Sequence, residues 1–261
     1  MNLNYSVNNI NFKEGTVIIA GAGPGSIKLV TIKTILALKY ADIVIYDSLI
    51  NKALLEYCKK NVKLIFAGKT STNRACSQEE INEWLVKYSK KNIKVLRLKG
   101  GDISFFSRGS QEISYLKKNK VKFKIFTGIT SAQAALKEVK EKSSNTKLCL
   151  NFITGHKKIK INSRRINYDY LVNTQGKILV YMGVSQIESI KNGLIRGGMN
   201  KYTKISIISN ATLDNQIIYN TNLKDVANFV KDNEVKPPSI IINYYRRWFD
   251  FIIFYKISNI L

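Results

Sequence analysis

Residues 14–47 read EGTVIIAGAGPGSIKLVTIKTILALKYADIVIYD. A β-branched run, Glu14 to Ala20, ends in the glycine-rich turn GAGPGS at 21–26. A helix-like stretch follows, with Leu29, Ile32, Ile35, Leu36 and Leu38 apolar, and then a second strand, Ala41 to Asp47. Strand, glycine turn, helix, strand is the signature of a parallel α/β sheet. Parallel neighbours cannot be joined by a tight hairpin, and the helix supplies the crossover they need.

The pattern continues outward from there. A helix is expected near Lys52 to Lys60, a strand at Val62 to Phe66, and a turn carrying Gly68 and Lys69. Ser77 to Lys91 is the clearest helix: Ser77 and Glu80 make a capping box, and Ile81, Trp84, Leu85 and Tyr88 recur at helical spacing. Asn92 to Lys99 reads as a strand entering the turn Gly100-Gly101-Asp102. After the strand Val121 to Phe126 the pattern restarts, with a turn and helix at TGIT and strands at Leu148 to Gly155, Gly176 to Gly183, Ile205 to Ser209 and Ser239 to Tyr244. Ser185 and Glu188 suggest a second capping box, opening a helix that Gly197 and Gly198 end. The expected organisation is a lead-in over 1–14, an α/β domain over 15–126 and a second α/β domain over 127–261, packed closely enough to leave a cleft.

Composition narrows the class. With 261 residues, 45% hydrophobic and 23% charged, the chain is globular, not disordered, collagenous or coiled-coil. Three scattered cysteines and a single His provide neither a disulfide framework nor zinc ligands, so no metal is expected and a reducing compartment fits. No segment reaches the ~18 uninterrupted apolar residues of a membrane span. The first residues lack the apolar run of a secretory signal. A cytoplasmic protein without a membrane partner is expected.

The net charge of +24 invites a polyanionic partner: nucleic acid, an anionic membrane, or a small molecule rich in carboxylates or phosphates. Only eight of the 42 cations are arginine, and Ile and Asn are abundant alongside Lys. These are the residues of AT-rich codons, so genome composition alone would raise the lysine content.

Individual motifs leave alternatives open. GAGPGS approaches the dinucleotide fingerprint, but its sixth position is Ser26, and Pro24 offers no N–H to a pyrophosphate. It serves as a tight turn or as the lining of another cofactor site. Asp47 and Lys69 each follow an apolar strand, where parallel sheets bind ligands, and can act there as base and acid or stand as solvated charges. Gly100-Gly101-Asp102 is a turn that also permits close approach of a ligand to backbone. His156 reads as structural, and Arg246-Arg247-Trp248 as a basic surface rather than a stacking platform for nucleic acid.

Taken together, the segments resemble the tetrapyrrole methylase family, and within it the branch acting on uroporphyrinogen III. The resemblance runs from about Gly15 to Tyr244. It rests on residues 15–51, AGK at 67–69, QEEIN at 78–82, VLRLKGGD at 95–102 with Arg108-Gly109, GITSA at 128–132, TGH at 154–156, VYMG at 180–183 and SNATLDNQ at 209–216. It implies two α/β domains holding S-adenosyl-L-methionine (SAM), usually in a homodimer. It also implies two successive methyl transfers to uroporphyrinogen III, giving precorrin-2 for sirohaem or cobalamin. By position, Asp47 matches the family's base and Lys69 its proton donor. Pro24, Gly100, Gly101, Asp102, Phe105, Thr130, Ser131, Met182 and Ala211 fall at its SAM-contacting positions. A substrate with eight carboxylates also suits the basic chain, with Arg108 among the groups that offset their desolvation.

Departures from the family pattern are Thr127 for a proline, Arg74 for a histidine, and Asn243 for a glycine. The stretch 138–145 (EVKEKSSN) replaces a segment with His and Arg where this chain has Ser143 and Ser144. Competing readings are a methylase of this fold acting on a later corrinoid or on ribosomal RNA, a non-catalytic binding relic, and a pure nucleic-acid binder. No nucleic-acid partner is expected.

Overall fold

The computed structural model describes residues 10–68, 76–139, 149–155 and 166–243. Lys69, Arg74, His156, Arg246-Arg247-Trp248 and most of the 138–145 stretch lie outside the described residues. The chain divides into two compact units, Met1–Ala134 and Ala135–Leu261.

The first unit contains β1 (Thr16–Gly21), α1 (Ile32–Tyr40), β2 (Ile43–Tyr46), β3 (Lys63–Phe66), α2 (Gln78–Ser89), β4 (Val95–Lys99), α3 (Gly109–Lys118) and β5 (Lys122–Phe126), while α4 (Ser131–Lys137) runs across the division. Its sheet has the order β3-β2-β4-β1-β5, and every pairing is parallel. Alternate side chains feed two cores. Ile18, Ala20, Val44, Leu96 and Leu98 pack with Leu38 of α1 and with Leu54. Val17, Ile19, Ile43, Ile45 and Val95 pack with Ile81 and Leu85 of α2 and Leu116 of α3. Burial on both faces is why VIIA and IVIY are unbroken apolar runs rather than alternating ones.

The capping box forms as the sequence predicts: Ser77 Oγ accepts from the Glu80 amide at 3.1 Å, and the Ser77 amide donates to Glu80 Oε2 at 2.7 Å. Ser77→Ala should therefore cost about 1 kcal/mol and lower the melting temperature by about 2–4 °C in a thermal unfolding scan. The helix expected at 52–60 is a 3-10 turn, Lys52–Tyr57. Asn51 opens it by accepting from the Ala53 amide, and its Nδ2 donates back to Gly25 O at 3.0 Å, tying this turn to the glycine loop.

The second unit contains β6 (Leu150–Thr154), α5 (Tyr168–Asn173), β7 (Lys177–Tyr181), α6 (Ile187–Arg196), β8 (Lys204–Ser209), β9 (Ile217–Asn222), α7 (Val226–Asp232) and β10 (Ser239–Asn243). The sheet order is β6-β7-β10-β8-β9; β6 and β7 are parallel and the other pairs antiparallel. Its core joins Ile178, Val180, Ile205, Ile207 and Ile241 of the sheet to Ile190 and Leu194 of α6 and Val226 and Val230 of α7.

The capping box expected from Ser185 and Glu188 does not form. A 3-10 turn over Val184–Gln186 moves the helix start to Ile187, with Gln186 at its cap and no side-chain cap bond. Glu188 instead pairs with Lys191 at 2.7 Å and accepts from Asn192, which holds its carboxyl below the usual carboxylate range chiefly through the Lys191 hydrogen bond. Gly197 does cap the helix, and Gly198 follows at φ +90°, a conformation that favours glycine. Asn243, one of the departures, is buried in β10 and donates to Met199 Sδ at 2.9 Å.

Candidate active site

The loops leaving β1, β4 and β5 meet at the carboxyl ends of the first sheet. Gly23 and Gly101 exchange backbone hydrogen bonds, Gly23 N to Gly101 O at 3.1 Å and Gly101 N to Gly23 O at 2.8 Å, and Ala22 N donates to Lys99 O at 2.7 Å. The third loop is fastened by Asp102. One of its carboxylate oxygens accepts from the Ser104 amide and the other from the Gly128 amide, both at 2.7 Å. Close approach depends on glycine here: a Cβ on Gly21 would lie 2.5 Å from Gly101 O and 2.8 Å from Gly128 Cα. Both obstacles are backbone and cannot swing away. Gly21→Ala should cost about 1–3 kcal/mol, read as a lower midpoint in urea unfolding.

Gly101, at φ +68°, is different, because a Cβ there would meet only Ser131 N, at 3.9 Å. Its N–H and C=O are both paired with Gly23, so the open side is the one its missing Cβ leaves. Pro24 and Gly100 adjoin the paired glycines in sequence, Thr130 and Ser131 follow Gly128, and the Phe105 amide donates to Asp102 O at 3.4 Å. Backbone-lined ground at the carboxyl ends of parallel strands is where open α/β sheets take ligands. The family resemblance implies one site for these seven first-unit residues, and the loop contacts bring their chain segments together.

Asp47 lies at the same end of the sheet. It follows β2 directly, and its amide donates to Leu98 O of β4 at 3.3 Å. By alternation it continues the face of Ile43 and Ile45, just as Arg97 and Lys99 continue that of Val95. The three charges therefore converge under α2 and α3. Arg97 Nη2 reaches Asp47 Oδ1 at 2.5 Å, and Lys99 Nζ stands 3.7 Å from Asp47 Oδ2. Glu112 of α3 completes the group: its Oε1 accepts from Arg97 Nε at 3.2 Å and from Lys99 Nζ at 2.9 Å. Arg97 is 1% exposed, Lys99 4% and Glu112 0%, so two cations and one anion are withdrawn from water while Asp47 sits at the rim. Burial disfavours the Arg97 charge, but Asp47 and Glu112 outweigh it and raise its pKa further.

Sequence reasoning overlooked Arg97, Lys99 and Glu112. A signal was present in VLRLK, where two cations two residues apart interrupt one face of an otherwise apolar central strand. A buried face carries such charges only when partners await them.

In the second unit, Met182 follows β7 and Ala211 follows β8. These strands lie on either side of β10 and antiparallel to it, so both residues leave the same end of that sheet. Met182 has φ +50° and is 46% exposed; Ala211 is buried between Asn210 at φ +51° and Thr212 at φ +71°. Left-handed conformations at non-glycine residues cost energy and collect at functional turns. Among the described residues, no group of three or more His, Cys, Asp or Glu side chains is placed to hold a metal ion.

The sequence matches the family model for tetrapyrrole (corrin/porphyrin) methylases over residues 16–227. The chain belongs to the tetrapyrrole methylase family. Among curated members of the family, it is 36% identical to the uroporphyrinogen-III C-methyltransferase of Methanocaldococcus jannaschii, over 87% of this chain and 95% of that one. It is 35% identical to the siroheme synthase of Zymomonas mobilis, over 89% of this chain but 49% of that protein, so it spans about half the length of such synthases. Among solved structures of the family, uroporphyrin-III C-methyl transferase from Thermus thermophilus complexed with S-adenosyl homocysteine superposes with a TM-score of 0.74 at 26% identity, covering 88% of this chain and 97% of that one. A cobalt precorrin-4 methyltransferase shares the fold, with a TM-score of 0.76 at 20% identity, over 88% of this chain and 95% of that one.

Proposed function

We propose that this methylase transfers methyl groups from SAM to uroporphyrinogen III, twice in succession, giving precorrin-2. The observation that carries the reading is the placement of Asp47 beside the Gly100–Asp102 loop, one strand away and at the same sheet end. The first unit suits the cofactor: among the described residues no side chain comes within 4 Å of where a Cβ on Gly101 would stand. Pro24, Gly100, Gly101, Asp102, Phe105, Thr130 and Ser131 would hold it there. Met182 and Ala211 carry the corresponding family positions in the second unit.

When bound, SAM supplies an electrophilic sulfonium methyl. The acceptor is an electron-rich pyrrole carbon, and the ring system gains positive charge as the new bond forms. Asp47 answers that charge and takes the proton the ring releases. The Arg97 fork fixes the carboxylate in one orientation, so that little of the barrier is spent on finding it. Lys69, outside the described residues, is the proton donor in this reading. The substrate's carboxylates meet a basic chain, with Arg108 at the head of α3 one of the cations available to them.

Cytoplasmic residence as a homodimer is part of the proposal, supported by the family and by three cysteines that form no disulfide. Among the described residues no helix is long and apolar enough to cross a membrane. The test is release of S-adenosylhomocysteine on adding uroporphyrinogen III under anaerobic conditions. Dependence on the tetrapyrrole supports the reading, and equal release without it contradicts it.

A further inference from the structure

We propose that Glu112 is a positioning residue for Asp47, acting through Arg97 and Lys99; the inference rests on the catalytic reading of Asp47 given above. Glu112 Oε1 gathers three donors: Lys99 Nζ at 2.9 Å, Arg97 Nε at 3.2 Å and Gln78 Nε2 of α2 at 3.3 Å. Its other oxygen, Oε2, is buried without a hydrogen-bond partner among the described residues. A carboxylate kept so deep, with one oxygen overcommitted and the other unused, is an expensive way to join α3 to β4. An apolar side chain would join them as well or better.

Its placement explains the expense. A guanidinium is a rigid planar fork. Arg97 gives Nε to Glu112, Nη1 to Ile45 O at 3.3 Å and Nη2 to Asp47 Oδ1. With the first two bonds made, the direction of Nη2 is fixed, and so is the carboxylate it holds. Glu112 also decides where Lys99 stands. The ammonium is at hydrogen-bond distance from Glu112 and beyond it from Asp47 Oδ2, so Oδ2 keeps a lone pair for an incoming proton while Oδ1 is anchored.

Remove the Glu112 charge and two buried cations face one carboxylate. Lys99 then swings to Asp47 Oδ2 and blocks the accepting oxygen. The effect falls on the chemical step and not on the binding of either substrate.

The test uses the full chain and compares wild type, Glu112→Gln, Asp47→Asn and the double variant, with circular dichroism to check folding. Glutamine keeps the shape and an acceptor oxygen. Expected is a roughly 10- to 100-fold fall in kcat for Glu112→Gln, unchanged KM for tetrapyrrole and SAM, and no further loss when the change is added to Asp47→Asn. Coupling with Lys99 is a second arm that stands even where Glu112→Gln alone does not fold. Glu112→Gln with Lys99→Met restores the charge balance, and it should fold and recover part of the kcat that Glu112→Gln loses. An unchanged kcat in Glu112→Gln, an equal loss in the Asp47→Asn background, or no recovery with Lys99→Met would overturn the inference. A wild-type chain that transfers no methyl group removes the proposed function and this inference with it; an active wild type silenced by Asp47→Asn but indifferent to Glu112→Gln removes only the inference.

Discussion

Asp47→Asn should lower kcat for methyl transfer by about 10²- to 10⁴-fold, the range a positioned general base contributes, while SAM affinity stays as it was. Asparagine fits the same space, and its amide oxygen still accepts from Arg97 Nη2, so the strand ends are not rearranged. What disappears is the negative charge and the proton-accepting lone pair that the proposed role of Asp47 requires. Turnover by initial-rate assay together with SAM titration by calorimetry separates the two effects. A variant that retained wild-type turnover would move the proton to another group. One that lost SAM binding would make Asp47 a structural anchor of the loop.

The second large effect is expected at Asp102. Its two carboxylate oxygens each accept a backbone N–H, from Ser104 and from Gly128, and hydrogen bonds to charged groups contribute about 1.5–3 kcal/mol each. Asp102 is itself 6% exposed, so alanine leaves those donors without their partner. Asp102→Ala should destabilise the fold by about 4 kcal/mol, detectable as a lower midpoint in urea, and should abolish SAM binding because the β4 and β5 loops are no longer fastened together. Asp102→Asn, with one acceptor oxygen, should fall between. Intact stability with lost SAM affinity would instead give the carboxylate a direct role toward the cofactor.

How much of this was legible in the sequence depended on which interactions each residue answers to. The first sheet was readable because its three central strands are buried on both faces, and VIIA, IVIY and VLRL can be little else. The α2 start was readable because Ser77 and Glu80 satisfy each other locally. The same pair of residue types at 185 and 188 misled, since a 3-10 turn there is set by the chain leaving β7 and Glu188 finds Lys191 one turn along. The edge strand β9 passed unnoticed because IIYNTN is exposed at Ile217 and Ile218 and has no clean alternation.

At the site, glycines and Asp47 could be placed from turn positions and from the family resemblance. The Asp102 role as a brace for Gly128, 26 residues away, could not. Nor could Glu112, which looks like any acid on the first turn of an amphipathic helix until the register of β4 brings Arg97 and Lys99 under it. Long-range pairing of charges is decided by strand order and helix packing, which local spacing does not encode.

The measurement that bears most directly on the central claim is the mass of the product formed anaerobically from SAM and uroporphyrinogen III. A gain of two methyl groups is the predicted result, and would also show that the altered stretch at 138–145 supports turnover. An unchanged tetrapyrrole mass, with SAM binding confirmed by calorimetry on the same preparation, would contradict it and leave a family member that has kept the cofactor and changed or lost the acceptor.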